Sequence, residues 1–181
     1  MPNAALSQAA EYIAAGGVVL HATEGVWGFA CDPFSESAVG RVLAIKARPV
    51  DKGLIVIGAD TQQFTPELNA LQADERGLLL DTWPGSVTWV VPNVRFPNWV
   101  TGSRTTVAVR VPGHPQARAL AALVGTPLVS TSANRSGEPA VLSEGDARAQ
   151  FSTVVDLILS GAVLDPGSPS ALRTLDGQRL R

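Results

Sequence analysis

The sequence predicts an α/β or α+β domain built around one twisted, mixed β-sheet with flanking helices. Short apolar segments alternate with amphipathic helical patterns along most of the chain, which is typical of this fold class. These segments are separated by 17 glycines and 13 prolines. Hydrophobic residues make up 45% of the 181 residues and charged residues 17%. The chain is therefore long and apolar enough to bury one core, and we expect one domain over residues 1–181.

The helices are predicted from their periodicity and from residues that start or stop a helix. Asn3 can cap the first helix, and Gly16 can end it. Pro49 should end the second helix near Ala47 or Arg48, because proline disfavours helical backbone at the residue before it. The predicted helices cover residues 4–15, 35–47, about 67–82, 115–123 and 143–150.

The strands are predicted from short apolar or alternating segments bounded by turn residues. They cover residues 18–22, 54–57, 86–91, 105–111, 128–129 and 154–158, and a small hairpin with Asp176-Gly177 as its turn ends the chain. After the first strand we expect a turn, because Gly25 and Gly28 flank a bulky pair. Trp27 belongs to this pair and is expected to be the most exposed of the four tryptophans. Residues 92–101 are expected to form an irregular loop.

The composition argues against several classes of protein. A net charge of −2 and an isoelectric point of about 5.6 give no global basic field, so any nucleic-acid contact would need a local patch. The single cysteine, Cys31, cannot form an internal disulfide, and with only two distant histidines it cannot build a zinc site of the usual kind. Neither a signal-peptide pattern nor a window of 18 apolar residues occurs. We therefore expect a cytoplasmic protein without a membrane span.

A cationic loop joins the second predicted helix to the strand at residues 54–57. Lys46, Arg48 and Lys52 lie within seven residues, in a chain with only 14 basic residues. Such a cluster suits a polyanion with several phosphates, because each charge can neutralise a separate oxygen. Alternatively, basic residues in the last turn of a helix only complement its dipole. That alternative accounts for Lys46 and Arg48 but not for Lys52, and both interpretations remain open.

A polar segment, Ser130-Thr131-Ser132-Ala133-Asn134, leaves the end of a predicted core strand. Ligands of open α/β sheets usually bind at such strand ends. Small hydroxyl and amide groups there can bind phosphate oxygens or orient a hydrated magnesium ion. The alternative is a turn whose residues bond to their own backbone. Thr23, which ends the first strand, allows the same two interpretations.

Arg110 is the one polar residue in an apolar predicted strand. A buried guanidinium needs an anionic partner, which could be a structural carboxylate or a substrate carboxylate.

The common phosphate-binding fingerprints and the G-x-S-x-G elbow are absent. A serine hydrolase using Ser130 or Ser132 with His21 or His114 therefore lacks a positioning signature. His21, Cys31 and His114 are assigned no role.

Five segments together closely resemble the YrdC-like threonylcarbamoyl-AMP synthases of the short bacterial TsaC type. They are TEGVWG at 23–28, KARPVDKG at 46–53, WPGSVT at 83–88, VRVP at 109–112 and STSANRSG at 130–137. The pairs K-x-R and S-x-N are weak alone, but their joint occurrence in this order is specific. The sequence differs from the usual family sequence at two places near the expected threonine pocket. Ala22 stands where the family often has proline, and Asp165-Pro166 stands before Ser170 where the family often has Gly-Gly.

The resemblance implies a reaction and a fold. L-Threonine, bicarbonate and ATP would give L-threonylcarbamoyladenylate and pyrophosphate. Partner proteins of a threonylcarbamoyl transferase complex would pass the product to an adenosine beside the tRNA anticodon, forming N6-threonylcarbamoyladenosine. The sheet would surround a large concave cavity with a positive lining. Mg²⁺ would accompany ATP, and no protein ligand for a metal is identified.

The resemblance also implies roles for individual residues. Lys46 and Arg48 would be catalytic. Binding of ATP would use Arg48, Lys52, Thr106, Ser132, Asn134 and Arg181, the last with Arg173 and Arg179 as alternatives. Threonine would be held by Thr23, Arg110, Ser130 and Ser170, with Arg110 as the natural partner of its carboxylate.

Two other functions remain as alternatives. The first is an RNA-binding module, for tRNA or double-stranded RNA, without catalysis of its own; the acidic isoelectric point argues against strong binding. The second is a maturation-type carbamoyl transferase, because similar domains occur inside hydrogenase-maturation proteins. Those proteins carry zinc-finger-like cysteines and acylphosphatase segments that this sequence lacks.

Overall fold

The computed structural model describes residues 4–180, so the Asn3 cap lies outside the described part. The strands are β1 (Val19–Ala22), β2 (Trp27–Cys31), β3 (Ile55–Ile57), β4 (Val87–Pro92), β5 (Thr106–Arg110), β6 (Leu128–Ser132), β7 (Leu157–Ile158) and β8 (Ala171–Thr174). The α-helices are α1 (Ala4–Ala14), α2 (Glu36–Lys46), α3 (Thr65–Asn69), α4 (Ala73–Thr82), α5 (Asn98–Thr101), α6 (Pro115–Val124) and α7 (Glu144–Phe151). Short 3-10 turns cover Val50–Lys52 and Thr61–Phe64.

All these strands join one mixed sheet in the order β7-β1-β2-β6-β3-β5-β4-β8. Strand β6 lies inside the sheet, antiparallel to both β2 and β3. Strand β5 is parallel to β3 and antiparallel to β4, while β8 and β7 form the parallel edges. The predicted α/β class with a mixed sheet is confirmed.

The two faces of the sheet are covered differently. One face packs under α2, α3, α4, α5 and α7 in the larger hydrophobic core. The other face packs against α1 and α6 over only part of its area, through Val19, Ala30, Ile57 and Leu128. The rest of that second face, toward Gly28, Ser130 and Ile55, is left open to a cleft. This half-covered face creates the candidate site.

Helix ends follow local chemistry that the sequence indicates. Ser35 caps α2 by accepting a hydrogen bond from the Ala38 amide at 3.3 Å. Helix α2 ends at Ala47, whose φ of 47° is left-handed and costs about 1 kcal/mol for a residue with a Cβ. Gly125, with φ of 80°, ends α6 without that cost. The turn at Ala47 directs the cationic loop toward the open half of the sheet.

Several elements differ from the expected ones. Residues 27–31 form a strand rather than the continuation of a turn, and Trp27 is 0% exposed, so the expected exposure of this tryptophan is wrong. The Trp27 ring faces the larger core. The alternation of apolar and polar residues that would indicate a strand is not visible in the sequence of β2, because the residues on its other face, Gly28 and Ala30, are small. The predicted helix over 67–82 is two helices, because Gln72 and Glu75 form a capping box that starts α4 anew.

Three further differences concern element lengths. Strand β6 continues through Ser132, beyond the predicted residues 128–129. Strand β7 is limited to Leu157–Ile158, because residues 152–156 leave α7 in a turn. The short helix α5 lies in the segment expected to be irregular. Within residues 4–180 there is no helix of the length and apolar character needed to span a bilayer.

Candidate active site

The cleft on the open half of the sheet has a volume of about 410 Å³. Its floor includes Gly28 on β2, Ile55 on β3 and Ser130 on β6. One wall comes from Pro139, Ala140 and Leu142. The opposite rim is a loop that we call the strap, residues 161–170, of which Gly167, Ser168, Pro169 and Ser170 line the cleft. The site is thus a rigid floor with two loop walls.

The lining of the cleft is positive. Arg48 and Arg110 contribute to it, and no carboxylate side chain does so among the described residues. Since two arginines face a partly apolar space, the cleft favours an anionic ligand.

Arg110 lies at the end of β5 and is only 7% exposed. Its Nη1 is 3.2 Å from Oε1 of Glu24, which also accepts a hydrogen bond from the Gly113 amide at 2.6 Å. The structural carboxylate that the sequence left as one alternative is therefore present. Because Arg110 also lines the cleft, the same guanidinium can face a ligand.

The other three residues predicted to hold threonine also line the cleft. Thr23 donates its hydroxyl hydrogen bond to the Val26 carbonyl at 2.7 Å. Ser170 accepts a hydrogen bond from the Thr88 hydroxyl at 2.9 Å. Ser130 lies with its Oγ 3.4 Å from Nε2 of His21. The structure thus brings Thr23, Arg110, Ser130 and Ser170 into one space.

Lys46 is 2% exposed and points inward from the last turn of α2. Its ammonium donates to the Ser132 carbonyl, to the Asn134 carbonyl at 3.1 Å and to Asn134 Oδ1 at 2.9 Å. Ser132 Oγ in turn donates to Asn134 Oδ1 at 2.6 Å. Lys46, Ser132 and Asn134 therefore form one hydrogen-bonded group beside the cleft, which a role in the helix dipole alone does not explain.

The environment of Lys46 changes its acidity. Burial, followed by the nearby charge of Arg48, lowers the pKa of Lys46 from 10.5 to about 8. The ammonium is thus still mostly protonated at neutral pH. Lys46 itself does not line the cleft, but its ammonium is hydrogen-bonded to Ser132, which does, and a positive charge held behind an anion-binding cleft can stabilise negative charge that develops there.

A second cavity of about 150 Å³ adjoins the cleft and shares Arg48 and Ile55 with it. Lys52 and Thr106, both predicted to bind ATP, line this second cavity. Arg48 donates to the Gly53 carbonyl at 2.9 Å, which fixes the cationic loop between the two spaces. Of the residues predicted to bind ATP, Arg48, Lys52, Thr106 and Ser132 line one or both of these cavities, whereas Asn134 lines neither and lies behind Ser132. The predicted Arg181 lies outside the described residues.

Some residues near the site were not identified from the sequence. Arg104 lines the second cavity beside Lys52, and the nearest signal is its place just before β5. Glu24 belongs to the TEGVWG segment, but nothing local indicates its partner Arg110, which is 86 positions away. His21 is fully buried on β1, behind Ser130.

The strap is fastened to the turn after β1. The Glu24 carbonyl accepts from the Leu164 amide at 2.8 Å and from the Asp165 amide at 2.7 Å. The Gly25 carbonyl accepts from the Gly167 amide at 2.9 Å. A Cβ on Gly25 would lie 1.9 Å from the Ser168 carbonyl oxygen, so this approach requires glycine. Asp165-Pro166, which stand where the family often has Gly-Gly, therefore belong to the strap at the rim of the cleft.

Stability is expected to fall below pH 6.5 because of His21. Burial, followed by the neighbouring His114 and Arg110, lowers the pKa of His21 from 6.5 to about 4. Above pH 6.5 the ring is neutral in both states. Between pH 6.5 and 4 only the unfolded chain takes up the proton, so unfolding becomes easier by at most about 1.4 kcal/mol per pH unit. Below pH 4 both states are protonated and the effect saturates.

Urea unfolding at pH 7 and pH 5, for the wild type and for His21→Phe, measures this effect. The wild type should lose stability relative to the variant as the pH falls. Equal losses in the two proteins would show that His21 is not responsible.

The described residues provide neither a reactive cysteine nor a cluster of metal ligands. Burial, followed by the charge of Asp32, raises the pKa of the Cys31 thiol to about 12, so it is not a nucleophile at neutral pH. Groups of three or more His, Cys, Asp or Glu side chains able to hold a metal ion are absent from residues 4–180.

Comparison with known proteins adds two kinds of similarity. A family model described as Telomere recombination (Sua5_yciO_yrdC) matches residues 11–181. The threonylcarbamoyl-AMP synthase of Pseudomonas entomophila (strain L48) is 46% identical over 171 residues, which cover 94% of this chain and 92% of that protein. The threonylcarbamoyl-AMP synthase of Cellvibrio japonicus (strain Ueda107) is 42% identical over 181 residues, which cover 99% and 96%.

The solved structures share the fold. P. abyssi Sua5 complexed with L-threonine has a TM-score of 0.90 and 32% identity, covering 97% of this chain. The present chain spans about half the length of that protein, 53%. E. coli YciO has a TM-score of 0.80 and 24% identity, covering 93% of this chain and 82% of that one, which is a likeness in fold.

Proposed function

This chain belongs to the Sua5/YciO/YrdC family with the activity of a threonylcarbamoyl-AMP synthase, a nucleotidyltransferase, and we propose that the cleft is where it joins L-threonine, bicarbonate and ATP. The single observation that carries this assignment is the meeting of Thr23, Arg110, Ser130 and Ser170 in one cleft with Arg48. Three hydroxyl groups and a guanidinium suit an amino acid, and Arg48 adds the charge that a phosphate requires.

In this proposal L-threonine lies on the floor of the cleft. Arg110 binds its carboxylate, because the guanidinium can serve Glu24 and a second anion at once through separate N–H groups. Thr23, Ser130 and Ser170 supply short polar contacts around the amino acid. P. abyssi Sua5, about half of whose length shares this fold, forms a complex with L-threonine, which supports L-threonine as a ligand in this proposal.

The nucleotide lies between the two cavities. Arg48 borders both of them, so it can contact a phosphate that joins the two halves of the product. Lys52 and Thr106 lie on the side of the second cavity, with Arg104 as an additional cation there. We place the ATP phosphates along this line, with the group of Lys46, Ser132 and Asn134 at the boundary. Arg181 remains a proposed ligand of the same nucleotide.

Catalysis is then positioning and charge stabilisation. The amino group of threonine attacks the carbon of bicarbonate, and a water molecule leaves to give the carbamate. A carbamate oxygen then attacks the α-phosphorus of ATP, and the bond to the leaving pyrophosphate breaks. Negative charge builds on the phosphate oxygens in this step, and Arg48 and Lys46 are the cations best placed to stabilise it. No side chain is needed as a covalent nucleophile.

Magnesium is proposed only as the counter-ion of ATP, where it would supply charge neutralisation on the phosphates. Residues 4–180 include no group of three or more His, Cys, Asp or Glu side chains that could hold it directly. The oxygens of Ser132 and Asn134, which the sequence suggested for a hydrated ion, are directed at the Lys46 ammonium. A cation does not suit a position already held by another cation.

The product serves tRNA N6-threonylcarbamoyladenosine modification. We propose that threonylcarbamoyl transferase complex proteins take it from this enzyme, with tRNA as a further ligand of the system. Since ATP and the tRNA that receives the group are cytoplasmic molecules, the proposal places the enzyme in the cytoplasm.

Pyrophosphate release by the purified protein tests the function. With ATP and Mg²⁺ present, release should require both L-threonine and bicarbonate, and omission of either should return it to background. Release from ATP alone, or no release in any mixture, would contradict the proposed reaction. If tRNA binding persisted without release, the chain would instead be the RNA-binding module that the sequence left as an alternative.

A further inference from the structure

The residue behind the threonine subsite is His21, which neither the sequence nor the proposed chemistry assigns to any task. It is 0% exposed on β1, and its Nε2 is 3.4 Å from Oγ of Ser130. Its Nδ1 is buried and has no hydrogen-bond partner among the described residues. A buried imidazole beside a cleft hydroxyl is unusual for a core residue, since an apolar side chain would fill the space without burying polar atoms.

The sheet geometry explains how His21 reaches Ser130. Strand β2 lies between β1 and β6, so the two residues are separated by a whole strand. His21 is paired with Gly28, and Gly28 is paired with Ser132 on the far side. Cross-strand partners share a face, and Ser130 is paired with Ala30, so the contact from His21 to Ser130 runs diagonally across β2. The residues of β2 on this face, Gly28 and Ala30, are small, and a Cβ at Gly28 would lie 3.1 Å from the Thr131 carbonyl oxygen and 3.5 Å from Ser130 Oγ.

We propose that His21 is a positioning residue that fixes the hydroxyl of Ser130 for binding of the threonine carboxylate. The neutral ring carries its proton on Nε2 and donates it to Ser130 Oγ. An unpaired buried N–H is rarer than an unpaired acceptor, so the proton belongs on the nitrogen that has a partner. Ser130 then turns its own O–H toward the cleft, beside the guanidinium of Arg110. The distance of 3.4 Å is long without a ligand, as such contacts often are.

This inference rests on the proposed function and makes a narrower claim. Only the hydroxyl of Ser130 is affected, so loss of His21 should weaken threonine binding and leave ATP binding unchanged. A purely packing role for His21 would instead affect stability and all substrates alike.

A double-mutant cycle tests the coupling. His21→Phe keeps an aromatic ring and removes the donor, and Ser130→Ala removes the acceptor. Each is expected to raise the KM for threonine about tenfold, with the KM for ATP unchanged. The double variant should be no worse than Ser130→Ala alone, because both changes break one interaction. His21→Gln, which restores an N–H donor, should recover most of the loss. Multiplied effects in the double variant, or an unchanged threonine KM in His21→Phe, would overturn the proposal.

A second measurement does not depend on activity. The chain has two histidines, so ¹⁵N-edited imidazole spectra contain two rings, and His21→Gln identifies the signal of His21 by its loss. The proton should be found on Nε2 at pH 7, and a proton on Nδ1 would overturn the proposal. If the wild type released no pyrophosphate, the proposed function would fail, while this spectrum and calorimetric titration of threonine would still decide the role of His21.

Discussion

Replacing Arg48 with alanine is expected to lower threonine-dependent pyrophosphate release by about 100-fold or more, as for other preorganised groups that stabilise developing charge. Among the described residues, Arg48 is the cation that borders both cavities, so its loss removes a charge that can contact the joined phosphate from either side. Arg48→Lys should retain part of the rate, because it keeps the charge but not the planar fork. The measurement is steady-state pyrophosphate release at saturating substrates.

A measurement of thermal stability distinguishes the loss of activity in Arg48→Ala from unfolding of the variant. Arg48 is only half-buried and donates to the Gly53 carbonyl on its own loop, so the thermal midpoint should change little. Arg76→Ala, at an exposed arginine on α4, is the matched control and should keep full activity. An active Arg48→Ala variant would remove the phosphate assignment. Lys46→Ala differs, since it removes a buried ammonium that donates to oxygens of Ser132 and Asn134, and it should lower stability as well.

Replacing Gly25 with alanine is expected to reduce activity about 100-fold through the strap, without touching a charged group. The new Cβ would lie 1.9 Å from the Ser168 carbonyl oxygen and 2.5 Å from its carbon. Both atoms are backbone, so the strap must shift as a segment, carrying Ser170 out of the threonine subsite. The effect should appear in both the KM for threonine and the turnover rate.

The control for this variant is Gly77→Ala on α4. Nothing lies within 4 Å of a Cβ at Gly77, and alanine favours a helix over glycine by about 0.5–1 kcal/mol. Gly77→Ala should therefore be slightly more stable and fully active. A Gly25→Ala enzyme with unchanged kinetics would show that the strap does not form the rim of the working site.

The fold and the site differ in how far they could be predicted from the sequence. Strong periodicity and clear caps, such as Ser35 before α2, are local signals, and they placed most elements correctly. Strand β2 was not predicted because Gly28 and Ala30, the residues on its open face, contribute little to a hydrophobic pattern. The break between α3 and α4 was not predicted because Gln72 is not among the preferred N-cap residues, and it caps α4 only together with Glu75 in a capping box.

The geometry of the site depends on contacts that no local pattern encodes. Lys46 resembles a solvated lysine at a helix end, but it is buried because the segment after β6 surrounds its ammonium with three oxygens. Glu24 meets Arg110 only because β1 and β5 belong to one sheet. The residue types were therefore predictable from the sequence, whereas their partners required the tertiary structure.

The half-covered sheet has a kinetic consequence. The floor of the cleft cannot open without breaking hydrogen bonds on both sides of β6, so substrates and products must pass over the rim. Loops move in nanoseconds to microseconds, much faster than packed layers rearrange. The strap must therefore loosen its three backbone hydrogen bonds to Glu24 and Gly25 if it is the part of the rim that opens. In the proposed reaction the product is a mixed anhydride that water can hydrolyse, so we expect the proposed transfer proteins to take it up soon after it passes this rim.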